Sequence, residues 1–127
     1  MENFRDFDAG MDPFGQKWHA NFKYLQTGIS IRHSNSVDVC YVLESGTEKL
    51  QKTIVIPNPD IRAYFTRTGR PISDAWCSRI AMCKLRHVIE TAEDLEKDYL
   101  LVTAREIEEY DSKIKEWEER WGKSHAA

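Results

Sequence analysis

The run CSRIAMCKLRH, residues 77–87, sets Cys77, Cys83 and His87 among three basic residues and raises the question of a metal site or a reactive thiol. Zinc ligands presented by one turn of chain sit two to four residues apart for cysteine pairs and three to five apart for histidine pairs. Cys77 and Cys83 are six apart, which on a helix separates them by roughly 120° and about 9 Å. That serves neither a shared metal nor a disulfide, whose Cα atoms lie within about 7 Å. Cys83 and His87 do share a helix face, and His19, His33 and Cys40 are the remaining candidate ligands. The same pair has the elements of a thiolate–imidazolium nucleophile. Such nucleophiles stand at a helix N-terminus or in a loop, whereas Cys83 falls mid-helix on an apolar stripe, where cysteine packs as a small hydrophobe. Packing is the expected role, with no metal and no cofactor.

Other catalytic patterns are absent: the chain has no GxGxxG, P-loop, GxSxG or HExxH. Carboxylates crowd the C-terminal third, but basic residues follow them at helical spacing, which reads as a charged, solvated face rather than an acid–base pair. The basic segment offers a different chemistry. Residues 61–89 carry six basic side chains against one acidic, while residues 90–127 carry six against twelve. Arg62, Arg67, Arg70, Arg79 and Arg86 in the first block are suited to phosphate, hence to a phosphometabolite or nucleic acid. An isoelectric point near 5.8 argues against a nucleic-acid binder. The acidic tail is an internal partner for those arginines, and ion pairs within the chain are the plainer reading.

The last candidate is a surface. Ile107, Tyr110, Ile114, Trp117 and Trp121 step by three and four along one helix face. Tyr and Trp are enriched at interfaces. The seam either packs on the chain's own sheet or holds a second copy. A third possibility is a small-molecule pocket between sheet and helices, lined by Tyr41, Tyr64 and Trp76 with Cys83 and His87.

The elements that position these groups follow from periodicity. Residues 24–56 alternate as strands: TGISIRH, then VDVCYVL with Val37, Val39, Tyr41 and Leu43 on one face, then KLQKTIVI, an antiparallel meander of three or four strands. Residues 1–22 hold Phe4, Phe7, Phe14, Trp18 and Phe22 among Gly, Asp and Pro, and read as an irregular aromatic arm with a helical turn near 15–22. Asn58-Pro59 starts a short helix over 59–67, stopped by Gly69. Ser73 caps a second helix over 73–91, with Ile72 and Cys77 as a hydrophobic staple. Its two apolar stripes, Trp76/Ile80/Cys83/His87 and Cys77/Ala81/Leu85/Val88, mark a helix buried across the sheet. Residues 92–97 could prolong it, and YLLVT over 99–103 has β character. Thr103 and Glu106 form a capping box for an amphipathic helix over 104–121, with Gly122 at its C-terminal cap.

The 127 residues suffice for one core, and 41% hydrophobic with 11% aromatic content is that of a folded domain. Apolar runs of four or five residues do not span a membrane. Three cysteines behind an acidic N-terminus with no apolar leader suggest reduced thiols in a cytoplasm. The expectation is one α+β domain: an aromatic arm, an antiparallel sheet, then two or three helices mainly on one face. Its expected role is that of a small, soluble, non-enzymatic binding protein that self-associates through its last helix. A ligand pocket and a phosphate or nucleic-acid surface over Arg62–Arg86 are the alternatives.

Overall fold

A computed structural model of the chain describes residues 5–28, 36–70 and 73–125, with residues 27, 28 and 121–125 described by their backbone alone. The fold is α+β: a five-stranded mixed sheet and three helices. Strands β1 (Asp6–Met11), β2 (Lys17–Gly28), β3 (Ser36–Ser45) and β4 (Glu48–Pro57) form an antiparallel meander. Helices α1 (Asn58–Thr68) and α2 (Asp74–Thr91) follow, then β5 (Tyr99–Leu101) and helix α3 (Ala104–His125). The two helices between β4 and β5 carry the chain back, so β5 pairs parallel to β4 and the strand order is sequential.

The expected irregular arm is instead β1 and the first half of β2. Phe7 and Ala9 are buried while Asp6 and Asp8 are exposed, the period-two alternation of a half-covered strand. Asp12 makes the connection by accepting hydrogen bonds at Oδ1 from the Phe14 and Gln16 backbone N–H groups and at Oδ2 from Trp18 Nε1, each at 3.0 Å. The helical turn expected near 15–22 is strand for the same reason: Trp18 and Ala20 point into the core at strand spacing. A bulge between Phe22 and Tyr24 then switches parity, which turns Tyr24 to the opposite face. The expected strand residues Ile29 and Ile31, and Ile72 of the staple, lie outside the described residues.

Local signals at the helices hold in part. Gly69 (φ 70°) ends α1 with its N–H bonded to Phe65 O, but the N-terminal cap is Pro57 rather than Asn58. Phe65, on the same helix, is exposed. Ser73 Oγ accepts from Trp76 N at 3.1 Å. Helix α2 stops at Thr91 with Ala92 in the left-handed region, so residues 92–97 do not prolong it. That turn is fastened by Lys52, whose Nζ donates to Leu95 O and Lys97 O at 2.6 and 2.7 Å. The Thr103–Glu106 box is present: Glu106 N donates to Thr103 Oγ1, and Thr103 N to Glu106 Oε1. Helix α3 runs past Gly122 to His125.

All three helices belong to one layer. Helix α2 crosses β1 to β4, α3 packs beside it, and α1 packs on α3 and β4. The core between the layers includes Phe7, Val39, Tyr41, Leu43, Ile54, Ile80, Leu85 and Ile107. Phe7 and Phe22 meet Tyr41 edge-on, at 5.6 and 5.9 Å between ring centroids.

Candidate functional site

Cys40 and Cys77 are buried and Cys83 is half-buried. Desolvation pushes the Cys77 thiol up to about 12 and raises that of Cys83, opposite to what a thiolate nucleophile needs. His87, on the same face, pairs with Glu93 at 3.2 Å. No cluster with metal-binding geometry occurs among the described residues; His33 lies outside them.

Tyr41, Tyr64 and Trp76 are core residues rather than the walls of a cavity. Tyr41 OH donates to Ser78 O at 3.3 Å. Tyr64 and Trp76 stack at 6.1 Å and both donate to Asp111, at 2.5 Å from the hydroxyl and 2.9 Å from Nε1. Asp111 is fully buried, and it also takes the Arg70 Nε–H at 3.1 Å. One carboxylate therefore joins α1, the segment after it, α2 and α3. The acidic face of α3, read from the sequence as solvated, buries this one member. Its spacing to Lys115 (3.6 Å) is real, but three donors from elsewhere in the chain cover it.

The arginines are largely spent on the same helix. Arg70 forks onto Glu118 at 2.9 and 3.2 Å, Arg67 pairs with Glu108, and Arg79 approaches Glu118 at 3.9 Å while lying over the Trp117 ring. Arg86 lies over Phe7 and donates to Asp8 O, and Arg62 is exposed on α1. The five do not converge on one surface, and a phosphate would have to displace carboxylates already in place. Of the α3 seam, Ile107, Tyr110 and Ile114 are buried in the chain's own core and Trp117 is half-buried. The Trp121 side chain lies outside the described residues.

A cleft of about 530 Å³ lies between the 93–97 turn, β5 and the start of α3. Its four basic groups each face a carboxylate: Lys84–Glu106 at 2.8 Å, His87–Glu93 at 3.2 Å, Lys97–Asp94 at 3.2 Å and Arg105–Glu109 at 3.1 Å. The cations of this lining are already paired within the chain.

What the sequence did not single out is the sheet face opposite the helices, which no described element covers. Strand register arranges it in rows. At one end Asp8, His19, Glu44 and Lys49 follow one another across β1 to β4, alternating in sign. His19 Nδ1 faces Asp8 Oδ1 at 3.2 Å and its Nε2 faces Asp6. Only an imidazolium can donate to both, and these hydrogen bonds raise its pKa above the ordinary 6.5. Glu44 and Lys49 approach at 3.8 Å. Farther along, Tyr24, Cys40, Thr53 and Tyr99 form a row across β2 to β5. Cys40 and Thr53 are its buried floor, and Tyr24 and Tyr99 are its exposed ends. The Tyr24 hydroxyl is raised in pKa chiefly by its electrostatic coupling to Cys40, then by burial and a hydrogen bond to the same thiol. Leu101 stands beside Tyr99 at 52% exposure, and Tyr99 itself is 57% exposed. The bulge after Phe22 is the signal that could have found this row, since it alone turns Tyr24 outward.

Comparisons with protein-family models, with curated proteins and with solved structures return no match. Among the described residues no helix is long and apolar enough to cross a membrane.

Proposed function

We propose that the protein is a small, non-enzymatic interaction domain whose binding surface is the open face of its sheet. The observation that carries this reading is the exposed group Tyr24, Tyr99 and Leu101, set beside a charged row on a face no described element covers. Amphipathic aromatics next to alternating charges combine apolar contact with orientation, as a protein interface requires. The reading moves the contact expected on α3 to the other side of the molecule, because the α3 seam is occupied by the chain's own core. Raised thiol pKa values and carboxylates already engaged in ion pairs speak for binding rather than catalysis.

A photo-crosslinking residue placed at Tyr99 or Leu101, and at Arg62 on the helix side as a control, tests the assignment. The expected outcome is one defined adduct, identified by mass, from the sheet positions and none from Arg62. Equal labelling at all three positions, or none at the sheet, sinks it.

A further inference from the structure

Resting on that reading of the open face, we infer that its occupant is a second copy of this chain, stacked sheet to sheet about a twofold axis running along the strands between β3 and β4. A twofold contact must be self-complementary, since each patch meets its own copy. The register of this face meets that condition. An axis between β3 and β4 exchanges those two strands between copies and likewise exchanges β2 with β5. Glu44 then lies opposite Lys49 of the second copy, and Lys49 opposite its Glu44, so both cross-contacts join opposite charges. In the aromatic row the same operation sets Tyr24 against Tyr99 of the second copy and Cys40 against its Thr53. Exposed ring meets exposed ring above a floor that is already dry. An in-plane axis across the strands and centred on Tyr41 sets Glu44 against Asp38 of the second copy, like charge on like.

The contact is small. The axis leaves β1 unopposed and sets β2 against the three residues of β5, so strands about 4.8 Å apart overlap over roughly 400 Å². A stable interface of ordinary size takes about 800 Å² from each partner, so this is the size of a weak, reversible dimer. Packed sheets lie about 10 Å apart with strands inclined by roughly 30°, a gap that Glu44 and Lys49, with 42% and 70% of their side chains exposed, can bridge.

The test is a charge exchange. Wild type is measured by light scattering up to millimolar concentration, alongside Lys49→Glu and Glu44→Lys, each first shown by its melting curve to be folded. A wild-type dimer is expected, with each variant self-associating about tenfold more weakly or worse, because two like-charge contacts replace two opposite ones. An equimolar mixture of the two variants should recover dimers to within a few-fold of wild type. Within each chain the Glu44–Lys49 contact stays broken after mixing, so recovery can come only from across the interface. A monomeric wild type, or no recovery on mixing, overturns the second copy. If a defined adduct of another mass still forms at Tyr99, the open face remains a binding surface for a different protein; if none forms, both readings fall together.

Discussion

The two faces of the sheet use the same residue types to opposite ends. On the helix side, charge is drawn inward: Asp111 gathers Tyr64, Arg70 and Trp76 into one buried cluster, and Glu118 completes the arginine fork. On the open side, Asp8, His19, Glu44 and Lys49 form a row exposed to water. A buried charge is costly to leave unpaired, by about 3–5 kcal/mol when its partner is deleted. An exposed pair is worth about 0–1 kcal/mol and is screened by salt. The inner cluster can therefore be kept for stability, whereas the outer row contributes little to the monomer and is free to serve recognition.

The contrast is broken most directly at its strong end. Asp111→Ala removes the shared acceptor and should destabilise the fold by roughly 3–5 kcal/mol in urea titration. A loss under about 1 kcal/mol would put the two faces on the same footing. Next comes the start of α3, where Thr103→Ala forfeits one half of the capping box and should cost about 1 kcal/mol, measured the same way. On the open face, Tyr99→Glu combined with Leu101→Glu should leave unfolding within about 0.5 kcal/mol of wild type while abolishing self-association. A large loss of stability there would make those side chains core rather than surface.

The smallest effect belongs to His19. Its folded pKa is raised by Asp8 and then Asp6, so its stabilising contribution is complete below the ordinary 6.5 and fades as pH rises through the folded value. The melting-temperature gap between wild type and His19→Gln should thus narrow from about pH 6 to about pH 9. A gap that widens over that range would mean the imidazole is neutral in the fold.

Much of the framework was legible because it is local. Alternation marked β3 and β4, Ser73 and the Thr103–Glu106 box marked two helix starts, and Gly69 marked a helix end. The failures are non-local. Residues 6–22 alternate as strands, but Gly10, Asp12, Pro13 and Gly15 between them read as an irregular arm; only the three hydrogen bonds to Asp12 reveal a hairpin. The β character of residues 99–103 was legible and Tyr99–Leu101 is a strand, but its parallel pairing was not, because β4 lies beyond two intervening helices. Asp111 is four residues from Lys115, which is surface arithmetic, until Arg70 and Trp76 arrive from elsewhere in the chain. The α3 seam showed that a face is apolar without saying what covers it. Gly122 suggested a stop where the helix continues, at a propensity cost of about 1 kcal/mol.

The sequential strand order has a consequence for the chain as it leaves the ribosome. The β1–β4 meander joins neighbours only and can pair as soon as it emerges, whereas β5 and α3 come last. Until residues 104–125 appear, Tyr64, Arg70 and Trp76 wait without the carboxylate that joins them, and the apolar side of the sheet is only partly roofed. Asp111 thus acts as a late latch: Tyr64, Arg70 and Trp76 gain their shared acceptor only when α3 docks.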